Sequence, residues 1–164
     1  MATLLDLVQR GELQKLEACL SWREQEERRI YAFPTAVRWL TESLPGLASD
    51  WNLEITPSEQ LDDFFVEFCS GHELMFERQI RPIRHIRHGV WELKTADTRL
   101  FGWFAARDCF ICTNGGLTSD IKKSNLYDGH RDEAVRLRSA LDLDEPKFVA
   151  GNNPNDVVSN FCFP

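Results

Sequence analysis

The chain has 164 residues, of which 43% are hydrophobic and 11% aromatic, and its formal net charge at pH 7 is −7. This length suffices for one domain with a sizeable core, and the apolar content excludes a disordered chain. There is no apolar run of about 18 residues that predicts a membrane span. The N-terminus lacks the basic start of a signal peptide. Five scattered cysteines favour a reduced protein, so we expect a cytoplasmic location without a membrane partner.

Charge is divided unevenly along the chain. Residues 1–72 carry 6 Lys and Arg against 13 Asp and Glu, whereas residues 78–138 carry 12 against 7. The densest basic run is IRPIRHIRHGVWELKT, at residues 80–95. Such a region inside an acidic chain indicates an ordinary solvated surface, an anionic partner, or a basic site under an acidic cover.

Residues 1–46 are predicted to form an α-helical segment. Apolar residues recur at helical spacing within 3–10, 12–31 and 34–44, and Pro45-Gly46 ends the last of these stretches. None of these residues indicates a particular chemistry.

A strand and a helix are predicted next. Residues 50–56, DWNLEIT, alternate between apolar and polar side chains, which is typical of a half-buried strand. Thr56, Pro57 and Glu59 then form the signature of a capping box, which predicts a helix that ends near Ser70.

Three strands in close succession are predicted after the basic run. Residues 89–95, 98–105 and 108–113 are separated by short connections, as in an antiparallel meander. We expect Asn114-Gly115-Gly116 to close this sheet, and a polar loop to lead to a helix from residue 128.

The predicted fold class is α+β, with helices packed on an antiparallel sheet. We divide the chain into an α-helical extension at residues 1–46, an α+β domain at 47–145 and a C-terminal tail at 146–164. The tail ends in Phe161-Cys162-Phe163, whose aromatic rings we expect to dock either on the core or on a partner.

Two spacings that are typical of metal sites are interpreted as structural. Cys109 and Cys112 have CxxC spacing, but on a strand they point to opposite faces, and no second Cys or His pair completes a zinc site. His85 and His88 lack an acidic third ligand at a suitable spacing. With no GxSxG motif and no phosphate-binding glycine-rich loop, we predict no cofactor and no metal.

Basic residues gather around the predicted meander. Lys94 ends its first strand, Arg99 opens its second, and Lys122-Lys123 follow its third. Ends of antiparallel strands can converge on one rim, where cations stabilise a pentacoordinate phosphate while a group of near-neutral pKa moves protons. Flanking aromatic rings can stack an unpaired base. The pattern suits phosphodiester cleavage, and an ordinary charged surface is the alternative.

The meander and the following helix resemble the RelE/ParE superfamily of toxins, especially its HigB-like, phage-encoded branch. The matching segments are GVWELKT (89–95), TRLFGWF (98–104), CFICT (109–113), IKK (121–123) and HRDEAVRLRSAL (130–141). The likeness covers roughly residues 50–142. It implies a RelE-like fold, in which a strand and a helix precede the three-stranded meander and its final helix.

The resemblance also implies an activity, that of a ribosome-dependent, metal-independent endoribonuclease that cuts mRNA and is paired with an antitoxin. Arg99 matches the family's strand arginine, which steadies the scissile phosphate, and Lys94 matches the basic residue of the preceding strand. Lys122 and Lys123 match loop lysines that hold the RNA backbone, and we expect Lys122 to take part in catalysis as well. Proximity adds His130 for catalysis and Tyr127 and Arg131 for RNA binding. Arg84 and Arg87 of the basic run could follow a phosphate backbone, so they are further candidates for RNA binding.

The sequence is also compatible with two other functions. The same scaffold suits a non-catalytic, phage-encoded inhibitor whose acidic 50–77 face binds a basic, nucleic-acid-binding host protein. Charge reversal at Asp62, Asp63 and Glu67 would then abolish a salt-sensitive complex. A gyrase-directed toxin is the other alternative, because the ParE branch shares the fold without the nuclease chemistry.

Overall fold

A computed structural model describes residues 1–164 and contains eight strands and six α-helices. The strands are β1 (Gln14–Leu16), β2 (Arg29–Ala32), β3 (Leu74–Met75), β4 (Ile80–Pro82), β5 (Trp91–Lys94), β6 (Thr98–Ala106), β7 (Cys109–Leu117) and β8 (Phe161–Cys162). The α-helices are α1 (Leu4–Gln9), α2 (Pro34–Arg38), α3 (Pro57–Cys69), α4 (Thr118–Ser124), α5 (Tyr127–Ala140) and α6 (Pro154–Val157). A π-helical turn, Trp39–Ser43, extends α2, and a short 3₁₀ helix, Ile86–His88, follows β4. No helix combines the length and the apolar character that a membrane crossing requires.

Six strands form one sheet in the order β1-β2-β7-β6-β5-β4, and β3 pairs with β8 in a separate small sheet. Neighbours in the large sheet are antiparallel except for β2 and β7, which are parallel. The prediction of an α+β fold is confirmed, and so is the antiparallel meander, which consists of β5, β6 and β7.

The prediction of a helix at residues 12–31 is wrong. This segment contains β1 and β2, and Ile30, Tyr31 and Ala32 are buried in the sheet beside β7. Leu16 and Ile30, two of the apolar residues that indicated helical spacing, lie in β1 and β2, and a charged, irregular connection joins the two strands. Residues 1–46 are therefore not an all-helical extension, since they supply two strands of the large sheet.

The predicted strand at residues 50–56 is also absent. The segment is irregular, and Asn52 has a left-handed backbone conformation with φ 57°. The alternating side chains of Trp51, Leu53 and Ile55 are exposed because no strand pairs with this segment. The alternating segment is a surface loop, because alternating side chains form a stable strand only where a neighbouring strand provides hydrogen bonds.

The third strand of the meander extends further than its sequence predicts. β7 runs through Asn114-Gly115-Gly116, which we expected to close the sheet, because β6 is equally long and pairs with it as far as Thr98 and Leu117. The polar segment after β7 is not a loop but α4, which ends at Asn125 in a left-handed conformation.

The predicted capping box at the start of α3 is confirmed. The Thr56 Oγ1 atom accepts a hydrogen bond from Glu59 N at 3.2 Å, and Thr56 N donates to Glu59 Oε2 at 2.7 Å. The apolar side of α3, with Leu61, Phe64 and Phe68, is buried against the sheet. The cap fixes where the helix begins, and the phenylalanines fix which side of it faces inward.

Apolar clusters cover both faces of the large sheet. On one face α2 and α3 pack against the strands, in a cluster that includes Trp91, Phe104 and Cys112. On the other face α1 and α5, the predicted last helix, pack near Trp103 and Cys109. The two cysteines therefore lie on opposite faces, as predicted, and burial raises the pKa of the Cys112 thiol to about 12.

The C-terminal tail docks on the core, which is one of its two predicted outcomes. Phe161 and Cys162 form β8, which pairs in parallel with Leu74 and Met75 of β3. The Phe161 ring packs against the large apolar cluster, whereas Phe163 is 62% exposed.

A buried arginine joins this tail to the rest of the molecule. Arg28 is 0% exposed, and its Nε lies 3.3 Å from Asp108 Oδ1 in the turn between β6 and β7. Its other nitrogens donate at 2.9–3.0 Å to the carbonyl oxygens of Phe68, His72 and Asn160. One side chain thus ties together the end of α3, the turn after it, the sheet and the tail.

Candidate nucleic-acid interface

One face of the meander brings together polar side chains of neighbouring strands. Lys94 and Arg99 are cross-strand partners in the register of β5 and β6, and Glu92 and Phe101 form the pair two positions further along. Because alternate residues of a strand share a face, all four side chains lie on the same side of the sheet as α5. The predicted adjacency of Lys94 and Arg99 is confirmed.

A buried carboxylate lies at the centre of this face. Glu92 is 0% exposed and forms a close ion pair with Nε of Arg81, in β4. Its Oε2 atom lies 3.9 Å from Arg99 Nε, and neither of these two atoms has a hydrogen-bond partner. Two arginines therefore share one carboxylate, whose charge compensates part of theirs in a poorly solvated place.

Arg99 is itself largely buried, with 6% exposure. Its Nη1 atom donates to the carbonyl oxygens of Thr95 and Thr98 at 2.6 and 2.8 Å. These bonds hold the guanidinium against the turn between β5 and β6. The residue also lines a groove of about 610 Å³ at this end of the sheet.

Lys94 lines the same groove and is half-buried. Its Nζ atom donates to the carbonyl oxygen of Glu77 at 2.8 Å. Burial lowers the pKa of Lys94, and the charges of Arg81 and Arg99 lower it further. A lysine with a lowered pKa releases its proton more readily than an exposed lysine, which suits proton transfer to a leaving group.

Two side chains of α5 cover the aromatic part of this face. The His130 imidazole stacks on the Phe101 ring, with a centroid distance of 4.4 Å and an interplanar angle of 8°. Tyr127 meets the edge of the same ring at 6.0 Å, and the Arg81 guanidinium lies 5.7 Å from the centre of the Tyr127 ring. The aromatic residues are thus in contact with the ionic cluster around Glu92.

The His130 imidazole faces the strand position opposite Arg99. A Cβ atom on Gly116 would lie 4.0 Å from His130 Nε2, and Gly116 is the cross-strand partner of Arg99. Burial lowers the pKa of His130, so the ring is neutral at pH 7 and able to accept a proton. The structure therefore brings Lys94, Arg99 and His130 to one side of the sheet.

The predicted loop lysines lie outside this cluster. Lys122 and Lys123 are exposed in the last turn of α4, and neither forms an ion pair. Ile121, the residue before them, is buried against Phe101, so α4 approaches the same face. The two lysines are placed to attract a polyanion to the rim rather than to contact reacting atoms.

Of the remaining predicted cations, one lines a second cavity, of about 530 Å³, and two lie near it in sequence or through a hydrogen bond. Arg84 lines it together with Arg81 and Tyr127. Arg87 is exposed in the adjacent 3₁₀ helix. Arg131 donates to the Arg84 carbonyl oxygen at 2.8 Å and pairs with two carboxylates of its own helix, so its charge is already compensated.

Glu92 and Arg81 are the members of the cluster that sequence reasoning missed. Glu92 alternates with the apolar Trp91 and Leu93, a pattern that usually places an acid in solvent. The available signal was the basic run 80–87 just before this strand, because opposite charges on neighbouring strands stabilise each other.

The groove beside Lys94 and Arg99 has walls of opposite charge. Arg78 lies with these two cations, while α3 contributes Asp63 and Glu67. Any polyanion that reaches Arg99 along this groove therefore passes two carboxylates, so we expect its approach to be easier from the α4 and α5 side.

Comparisons of the chain with protein-family models, with curated proteins and with solved structures found no match. Within the chain, no group of three or more His, Cys, Asp or Glu side chains is arranged to hold a metal ion. The groups that the structure brings to this interface are two guanidinium groups, a lysine with a lowered pKa, an imidazole with a lowered pKa and stacked aromatic rings.

Acidification is expected to destabilise the protein through His130. The pKa of His130 in the folded state lies below the ordinary value of 6.5. The unfolded chain therefore binds the proton more tightly, so this contribution to stability is complete above pH 6.5 and declines as the pH falls. Urea unfolding measured between about pH 7.5 and pH 5 should show a decline in stability that His130→Gln reduces.

Arg136→Gln is the matched control for this measurement. Arg136 lies on the exposed side of α5 and stays charged throughout this range of pH, so its loss should leave the pH dependence unchanged. Parallel stability curves for the wild type and His130→Gln would contradict the assignment of the effect to His130.

Proposed function

We propose that the chain is a RelE/HigB-like toxin that cuts mRNA on the ribosome without a metal. The observation that carries this proposal is that Lys94 and Arg99 are cross-strand neighbours on the face of the meander that His130 of α5 also contacts, through Phe101. Cations at this place suit the extra negative charge of a phosphoryl transition state, and a neutral imidazole suits proton transfer.

The order of elements supports the same family. A strand, β2, and the helices α2 and α3 precede the meander and α5, with β3 and β4 inserted before the meander and α4 inserted before α5. The first strand of that order is β2 rather than the segment predicted at residues 50–56. β2 pairs with β7, so it adds to the same sheet as the meander.

The proposed reaction is an attack by a ribose 2′-hydroxyl on the adjacent phosphate. His130 accepts the hydroxyl proton while the 2′-oxygen bonds to phosphorus and the bond to the 5′-oxygen breaks. Lys94 donates a proton to that leaving oxygen, so the products are a 2′,3′-cyclic phosphate and a 5′-hydroxyl. Arg99 stabilises the charge that develops on the phosphoryl oxygens.

Residues around the rim would position the RNA. The exposed cations with this role are Lys122, Lys123, Arg84 and Arg87. Tyr127 offers a ring on which a base can stack, and Arg131 steadies the backbone at Arg84. The ribosome with its mRNA and an antitoxin protein are the partners in this proposal.

Expression of the wild type is expected to arrest growth and to cut ribosome-bound mRNA. The double variant Lys94→Gln, His130→Gln removes both proton-transfer groups, so the rate of cleavage should fall by about a hundredfold or more. Cleavage is measured by mapping 5′-hydroxyl ends, and circular dichroism verifies the fold of the variant.

Arg136→Gln again serves as the control, because it removes a cation on the exposed side of α5 that pairs with Glu133. It should leave cleavage unchanged. A harmless wild type that leaves mRNA intact would overturn the proposal, and so would growth arrest with intact mRNA and inhibited DNA supercoiling.

A further inference from the structure

The negative charge of the chain is concentrated in one segment. Residues 50–77 contain eight acidic residues and no Lys or Arg: Asp50, Glu54, Glu59, Asp62, Asp63, Glu67, Glu73 and Glu77. All eight are exposed. None of them forms a salt bridge in the structure. Their charge is therefore not neutralised by ion pairs within the molecule, although Arg78, Lys94 and Arg99 lie across the same groove.

Exposed apolar side chains lie in the same segment. Trp51, Leu53 and Ile55 are 63%, 45% and 45% exposed. We call these three residues, together with the exposed acids Asp62, Asp63 and Glu67 of α3, the acidic surface. Leu53 and Ile55 line the groove of about 610 Å³ together with Asp63 and Glu67, so the apolar and acidic parts are contiguous. Contiguous exposed apolar groups rimmed by charge are typical of an interaction site.

The loop that carries the apolar side chains is held in a defined position. Asp97, which is 1% exposed, accepts hydrogen bonds from Asp50 N at 3.1 Å and from Gln60 Nε2 at 2.6 Å. Trp51 Nε1 donates to the carbonyl oxygen of Ala96 at 3.2 Å. These bonds fix the loop between α3 and the turn joining β5 and β6, so the surface is preorganised for binding.

We propose that the acidic surface binds a basic, amphipathic segment of a partner polypeptide. Apolar side chains of that segment would lie in the groove on Leu53 and Ile55, and its Lys or Arg side chains would face the carboxylates of α3. Nucleic acids and anionic membranes carry the same sign of charge as this surface and are repelled by it. The proposal does not rest on the nuclease activity, since no group of the acidic surface takes part in the proposed cleavage. The bound segment would share its groove with Lys94 and Arg99, so it would also obstruct access to them.

The test uses the full-length chain and a synthetic peptide as probe. The peptide consists of Lys and Leu at helical spacing, so that Lys side chains occupy one side of the helix and Leu side chains the other. We expect titration calorimetry to show saturable binding that weakens as salt is added. The triple reversal Asp62→Lys, Asp63→Lys, Glu67→Lys should weaken binding by about tenfold or more. The double variant Leu53→Ser, Ile55→Ser should weaken it without changing the salt dependence.

Two controls separate this site from general attraction between opposite charges. A peptide of the same composition with scrambled order keeps the charge but lacks an apolar side, so it should bind more weakly. The control variant Glu12→Lys, Glu42→Lys, Asp144→Lys reverses three exposed acids outside the acidic surface, so its net charge changes by the same amount. This variant should bind the probe better than the first triple variant. Equal binding by the two triple variants, or by the two peptides, would overturn the proposal. Self-association of the wild type that the first reversal abolishes would also overturn it, in favour of a second copy.

Discussion

Gly102→Ala is expected to destabilise the protein by about 3 kcal/mol, at the upper end for an overpacked interior. Gly102 lies in the middle of β6, at a shift in the register between β6 and β7. A Cβ atom there would overlap the carbonyl oxygen of Ile111 and lie 3.0 Å from the Phe110 ring. The contact atom is backbone in the centre of the sheet, so it cannot move without opening the ladder.

Gly129→Ala is the matched control, because it makes the same chemical change in open space. Gly129 lies in the first turns of α5, and a Cβ there would meet nothing within 4 Å. Alanine favours helix over glycine, so this variant should be more stable than the wild type by about 0.5–1 kcal/mol. Urea unfolding of both variants measures the difference. A mild effect of Gly102→Ala, similar in size to that of Gly129→Ala, would contradict the close approach of β6 and β7.

Arg28→Met is expected to destabilise the protein by about 3–5 kcal/mol, the range for the loss of one partner from a buried ionic network. The methionine fills much of the same space but removes three hydrogen bonds to carbonyl oxygens and the cation that pairs with Asp108. Arg29→Met is the control, because Arg29 is the next residue and is exposed, so its change should stay within about 0.5 kcal/mol.

A second substitution shows whether the unpaired carboxylate causes part of the loss. Asp108 has a positive φ of 64°, a conformation that asparagine also tolerates, so Asp108→Asn removes the charge without backbone strain. We expect the double variant Arg28→Met, Asp108→Asn to be more stable than Arg28→Met alone. Equal stability of the two would show that the carbonyl oxygens account for the whole effect of Arg28.

Local signals in the sequence predicted local structure well. The Thr56–Glu59 capping box and the short connections of the meander each depend on residues a few positions apart, and both are confirmed. The strand β2 was missed because its partner β7 is distant in sequence and parallel to it, and no turn signal connects them. Residues 50–56 show the reverse error, since their alternation is genuine but nothing in the fold pairs with them.

The candidate interface could be predicted only in part for the same reason. Lys94 and Arg99 flank one tight turn, so their adjacency follows from the predicted hairpin. The stacking of His130 on Phe101 depends on where α5 crosses the sheet, which periodicity does not determine. The role of Glu92 depends on β4, a three-residue strand at the start of the basic run 80–95, where the sequence pattern predicted no strand.

The parallel pairing of β2 with β7 affects how the chain folds during its synthesis. During synthesis β2 leaves the ribosome long before β7, and its inner edge has no partner until residue 112 has emerged. Pairing between distant segments is slow to form and leaves strand edges open to other chains in the meantime. We therefore expect nascent chains stalled before residue 109 to aggregate or recruit chaperones, whereas chains released after β7 fold to completion.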